Sequence, residues 1–144
     1  MYLDSAILVK LATAEPDSGF YVAMVDEQFD LFISALSLPE CRSALARKLD
    51  SGEIDPNEYA EAWAAVEEMF FRDVGISVIG MDDKILERAS DIIERCRGKV
   101  ALRALDAIHI ATCMCAEAYP LVTNDRIMRK AAEVLDVPLA PMPA

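Results

Sequence analysis

The stretch Asp30-Leu31-Phe32-Ile33-Ser34-Ala35-Leu36-Ser37-Leu38-Pro39-Glu40-Cys41 sets the fold class. Its first five residues are a β-rich apolar run, and Ser37-Leu38-Pro39-Glu40 then opens a helix striped by Leu38, Cys41, Leu45 and Leu49. A strand feeding directly into an amphipathic helix is the building unit of a parallel sheet, so the question outward from here is whether the unit recurs.

It does. Upstream, residues 1–3 read as a clipped first strand, followed by helices over residues 5 to about 13 and about 18 to 28. Downstream, Asp55-Pro56-Asn57-Glu58 combines a cap, Pro at the first helical position and a capping Glu, ahead of the stripe Tyr59, Ala62, Trp63, Val66, Met69 and Phe70. Residues 76–79 form a third strand. Asp82 or Asp83 caps a helix striped by Ile85, Leu86, Ala89, Ile92, Ile93 and Cys96. A helix over about 101 to 118, a strand at 121–123, a helix over 125–135 and a last strand at 137–140 complete the chain. Strands alternating with helices predict an α/β fold with a mostly parallel sheet of four to five strands. With no linker, repeat or low-complexity tract, the 144 residues are expected to form one domain, 1–144.

Bulk composition narrows the function. No apolar run approaches the roughly 18 residues of a membrane span, and Asp4 interrupts the start before any signal-like segment develops, so a cytoplasmic protein is expected with no membrane partner. Cys41, Cys96, Cys113 and Cys115 form no C-x-x-C pair and read as free thiols of a reducing compartment. The net charge of −11, from 14 basic and 25 acidic residues, excludes binding of nucleic acid through a broad basic surface. It is compatible with acidic groups that hold cations at a reaction centre.

Open parallel sheets bind ligands beyond the carboxyl ends of their strands. Asp4, Glu40 and Asp125 fall at three such ends. Each also has a plain structural explanation, because carboxylates cap helix N-termini and Ser37-Leu38-Pro39-Glu40 matches a capping box. Asp106 is different: it sits inside Val100–Ala111, a helix apolar on nearly all sides, where an ionised carboxylate is costly unless paired or metal-bound. Either Arg103 neutralises it across one turn or it faces a cation. His109, the single histidine, reads as a packed core residue on the same polar seam as Arg103, Asp106 and Thr112. Clustered carboxylates stay ionised only if cations neutralise them, and oxygen-only ligands suit Mg²⁺ or Mn²⁺. Metal-assisted phosphodiester hydrolysis is the matching reaction class.

Four segments in order carry a resemblance: Tyr2-Leu3-Asp4-Ser5-Ala6 with Leu8-Val9-Lys10, Ser37-Leu38-Pro39-Glu40, Leu105-Asp106-Ala107-Ile108-His109-Ile110-Ala111, and Leu121-Val122-Thr123-Asn124-Asp125. The chain resembles the PIN-domain family, and within it the VapC-like toxins of toxin–antitoxin pairs. That resemblance implies a three-layer α/β/α domain, Mg²⁺ or Mn²⁺ dependence, endonucleolytic RNA cleavage, a homodimer and a cognate antitoxin partner. It places Asp4, Glu40, Asp106 and Asp125 at the family's catalytic, metal-binding acids. Ser5, Thr123 and Asn124 fall where family members put polar groups beside the metal, and Asn124 competes with Asp125 for the fourth position. Lys10, Arg42, Arg126 and Arg129 are the basic residues nearest these motifs, as phosphate contacts or as ordinary surface charge. Two rivals stand beside this reading: a catalytically silent scaffold of the same fold, and another Mg²⁺-dependent α/β phosphohydrolase of haloacid-dehalogenase type. The latter usually carries Asp-x-Asp after its first strand, where this chain has Asp4-Ser5-Ala6.

Overall fold

Four short strands, β1 (Tyr2–Leu3), β2 (Leu31–Ser34), β3 (Ile76–Ile79) and β4 (Leu121–Val122), pair in parallel in the order β3-β2-β1-β4. They are seen in a computed structural model that describes residues 1–26, 28 and 30–144. Parallel neighbours need crossovers, and helices supply them. Helices α1 (Ser5–Ala12) and α2 (Ser18–Val25) connect β1 to β2, and α3 (Ser37–Asp50) and α4 (Pro56–Phe71) connect β2 to β3. Helices α5 (Asp83–Cys96) and α6 (Ala104–Cys115) lead back to β4 on the far side of β1, and α7 (Arg126–Val134) follows.

Alternation along the strands sorts the core into two layers. Leu3, Leu31, Ile33 and Val122 pack with the helices α1 to α4, against Ile7, Leu8, Leu45 and Val66. Tyr2 and Leu121 point the other way, against Ile92, Ile110, Met128 and Ala131 of α5, α6 and α7. The result is the expected α/β/α sandwich. Strands β1 and β4 are only two residues long, so cover on both faces, worth about 1.5–3 kcal/mol per buried aliphatic side chain, holds them more than ladder length does.

Most elements match the pattern in the sequence, including the capping box of α4. There Asp55 accepts from the Glu58 amide at 2.8 Å, and the Glu58 carboxylate takes the Asp55 amide at 3.1 Å. Four expectations need correction. The helix expected over 101–118 starts only at Ala104: α5 ends where Gly98 turns left-handed at φ +78°, and residues 99–103 are spent reversing the chain against α5. Asp106 therefore lies in the first turn of α6 and not in mid-helix. Ser37 caps nothing, because Leu36 is already helical at φ −58°, ψ −29° and Ser37 is buried against Ser5. The last strand at 137–140 shrinks to a single parallel bridge, Leu121 with Leu139. Helix α2 closes at Val25, short of residue 28; Glu27, within that expected span, lies outside the described residues.

Candidate active site

Because the chain builds outward from β1 through β2 to β3 and then returns to β4 beside β1, the order reverses at the β1–β4 pair. A reversal opens a crevice beyond the carboxyl ends of those strands. Asp4 directly follows β1. It is 3% exposed, and its Oδ1 accepts from the Ile7 amide at 3.0 Å, capping α1. Asp125 follows β4 and caps α7, with Oδ1 accepting from the amides of Ile127 and Met128 at 2.8 and 2.9 Å. The capping explanation thus holds for both, yet each cap engages Oδ1 alone.

Glu40 enters from the first turn of α3 and spends no hydrogen bond on its own helix end. Its Oε1 accepts from Ser5 Oγ at 2.7 Å and lies 2.6 Å from His109 Nε2. Asp106 comes from the opposite layer, in the first turn of α6. Its Oδ2 is buried without a hydrogen-bond partner, and Arg103 Nε is 3.8 Å away, too far for a hydrogen bond. The Arg103 side chain is 80% exposed, so Asp106 is not neutralised in a dry interior.

Electrostatics show which of these groups share one neighbourhood. Burial pushes the Asp4 carboxyl above its ordinary range, and the charge of Asp125 adds to that; the Thr123 hydroxyl, the Ile7 amide and His109 pull the other way and do not cancel it. Asp106 is also raised, first by burial and then by Asp125, with Glu40 contributing and Arg103 and His109 opposing. Glu40 moves the other way. Burial alone would raise it, but the hydrogen bond and charge of His109, with Ser5, hold it below the usual carboxylate range. The charges of Asp125 and His109 thus act on both Asp4 and Asp106.

The polar residues divide. Ser5 bridges Ser37 and Glu40. Thr123 is buried, accepts from the Asp125 amide at 3.1 Å and lies beside Asp4. Asn124 is half-buried and makes no side-chain hydrogen bond among the described residues. Three of the four basic residues singled out from the sequence are engaged by groups other than the four acids. Lys10 is held by Glu15 and Asp17, Arg42 stacks 4.0 Å over the Trp63 ring, and Arg129 donates to the carbonyls of Thr123 and Ala140. Arg126 is exposed at the start of α7.

A cavity of about 600 Å³ is lined by Ser5, Glu40, Ser43, Arg47, Arg103 and Asp106, among others; it brings Glu40 and Asp106 together, while Asp4 and Asp125 do not line it. Arg47 and Arg103 were not singled out from the sequence as phosphate contacts, and His109 was read as mere packing. The signal was periodicity: Arg47 is two turns beyond Glu40 on one face of α3, and His109 is three residues beyond Asp106 on one face of α6.

The donor set suits a hard divalent cation: oxygen atoms only, with one buried carboxylate oxygen left unpartnered at Asp106. Among the described residues no three of His, Cys, Asp and Glu already stand close enough to enclose an ion.

An α/β/α domain with a strand-end pocket of carboxylates from both helical layers is the class of molecule that fold and site define. The chain belongs to the PIN-domain family, whose PIN domain profile matches residues 1–134. Ribonuclease VapC46 of Mycobacterium tuberculosis is 31% identical over 137 residues, 94% of this chain and 92% of the relative. The crystal structure of VapC20 from the same organism, a Sarcin-Ricin loop cleaving toxin, matches with a TM-score of 0.71 at 15% identity, over 90% of this chain and 93% of that one. VapBC2 from Rickettsia felis, bound to a DNA fragment from its promoter, matches with a TM-score of 0.67 at 15% identity over 96% of both chains. At such identities the structural likeness speaks for the fold.

Proposed function

We propose that this chain is a VapC-like PIN toxin: a divalent-metal-dependent endoribonuclease whose Asp4, Glu40, Asp106 and Asp125 hold the cation. The observation that carries this is the orphaned, buried Oδ2 of Asp106 in a shared field with Asp125 and Glu40. Like charges so placed, one of them without a proton donor, call for a cation, and the family and the named ribonuclease relative supply the reaction class. Bound Mg²⁺ or Mn²⁺ supplies charge for the leaving oxygen and lowers the pKa of a water.

The chain's own residues do the rest. Asp4 and Asp125 are fixed by their caps, and Ser5 and Thr123 orient neighbouring carboxylates. Asp125 supplies the fourth carboxylate, with Asn124 beside it as a neutral polar neighbour. Arg47 and Arg103 supply the positive charge that a chain of net charge −11 otherwise lacks at its pocket, and they contact RNA phosphates. Arg47→Gln is expected to raise KM about three- to tenfold with kcat little changed, and to flatten the salt dependence of RNA binding by about 0.7 in log–log slope. Cleavage kinetics across a salt series check this. An unchanged slope removes Arg47 from the RNA path.

A cognate antitoxin is the expected protein partner, as solved neighbours include a toxin-antitoxin complex from Klebsiella pneumoniae, matched with a TM-score of 0.58 at 17% identity. The same resemblance to VapC-like toxins implies a homodimer and a cytoplasmic site of action, and the free cysteines suit a reducing compartment. The deciding experiment is cleavage of RNA with Mg²⁺ and again with EDTA. Cleavage lost on chelation is expected; none under either condition favours the silent scaffold, and hydrolysis of small phosphomonoesters instead favours the phosphatase rival.

A further inference from the structure

Resting on that ribonuclease reading, we propose that His109 and Tyr2 are positioning residues: they clamp Glu40 by one oxygen so that its other oxygen is presented to the cation. His109 is the only histidine in the chain and is 2% exposed. Its Nε2 is 2.6 Å from Glu40 Oε1, and its Nδ1 is 2.7 Å from the Tyr2 hydroxyl. Ser5 Oγ donates to the same Oε1 at 2.7 Å. Glu40 Oε1 thus receives two short contacts, and Oε2 receives no hydrogen bond among the described residues.

A carboxylate oxygen only accepts, so Nε2 carries a proton, and Nδ1 pairs with the Tyr2 hydroxyl, which can accept or donate as the ring requires. The chain of hydrogen bonds runs through Tyr2, His109 and Glu40. The three residues come from three layers: Glu40 from α3 on one face, Tyr2 from β1 in the sheet, His109 from α6 on the other face. The chain of bonds crosses the strand ends where the two helical layers meet the sheet. His109 also shares its helix face with Asp106, so one rigid segment orients two of the four acids. A glutamate has three torsions to freeze before it can ligate an ion, and here they are frozen in advance. Groups that orient metal-binding carboxylates from outside the ligand shell typically matter 10–100-fold.

The test compares His109→Leu, which keeps volume but loses the donor, with His109→Gln, which restores an N–H near the Nε2 position. Mg²⁺ binding is measured by calorimetry without RNA, alongside kcat. His109→Leu is expected to lose about 10–100-fold in both, and His109→Gln to stay within about threefold of the parent. A folded His109→Leu protein with parental Mg²⁺ affinity overturns the proposal. Because the imidazole is unique, its ¹⁵N and ¹H signals are read without ambiguity, which covers the case in which His109→Leu does not fold. The Nε2–H form is expected, with a proton resonance that moves in Glu40→Gln; a ring protonated only at Nδ1 overturns the clamp. The two readings fail separately: absence of Mg²⁺-dependent cleavage in the parent protein defeats the ribonuclease assignment, whereas intact cleavage with an indifferent His109 defeats only the positioning role.

Discussion

Asp4→Asn is expected to lose about 10²–10³-fold in RNA cleavage and, in metal-free buffer at pH 7, to melt at a higher temperature than the parent protein. The two effects share one cause. Asp4 is almost fully buried and its carboxyl is shifted upward, by burial first. A folded-state pKa above the unfolded value means that the native state holds the proton more tightly than the unfolded chain does. The resulting stabilisation is complete below the unfolded pKa, about 3.9, and is lost as pH rises through the folded pKa. At pH 7 the ionised group therefore costs stability. Asparagine removes that charge while its side-chain oxygen still caps the Ile7 amide.

In a chain of this length each 1 kcal/mol recovered raises Tm by about 3 °C. The gain should shrink as pH falls toward 4, as the folded state and then the unfolded chain take up the proton. It should narrow or reverse on adding Mg²⁺, which stabilises only a site able to bind it. Asp106→Asn should behave alike, since burial and the charges of Asp125 and Glu40 raise that carboxyl too. Thermal melts over pH 4–8, with and without Mg²⁺, provide the check. Unimpaired cleavage would remove Asp4 from the site, and a lower Tm at pH 7 would contradict the buried-charge account.

Ile33→Ala is expected to cost about 2–5 kcal/mol and to lower Tm by roughly 10 °C. Ile33 is fully buried in β2, which is paired on both sides, and it packs in the same cluster as Leu3, Leu45 and Val66. Truncation leaves a cavity that rigid neighbours on two sides cannot fill. Val78→Ala on the edge strand β3, where Val78 is 39% exposed, should stay within about 0.5 kcal/mol. Denaturant melts of the two variants distinguish core from edge. Equal losses would mean that β3 is covered in solution. Cleavage by folded Ile33→Ala well below its Tm should be near parental, because β2 contributes no ligand itself.

Asp106 was marked by an argument whose helix boundary the structure moves. An acid among apolar neighbours is expensive wherever it lies, so composition alone marked it. The helix around it was placed too early, however, because Ala101-Leu102-Arg103 carries ordinary helix formers and nothing local reveals that α5 must be reversed over those residues. Ser37 misled for a related reason. Its spacing to Glu40 matches a capping box, but the backbone at Leu36 is already helical, which frees Glu40 to turn toward Ser5 and His109.

The sequence by itself determined the order of strands and helices, put Asp4, Glu40 and Asp125 just after strands, and marked Asp106 as an acid among apolar neighbours. These follow from local periodicity, capping chemistry and the cost of burying charge, all written in neighbouring residues. Only the tertiary structure decided that the charge of Asp125 acts on both Asp4 and Asp106, that Arg47 and Arg103 line the pocket in place of Lys10, and that His109 reaches Glu40 across the sheet. Those are contacts between residues dozens of positions apart, set by how the helical layers dock on the sheet, and no local rule carries that information.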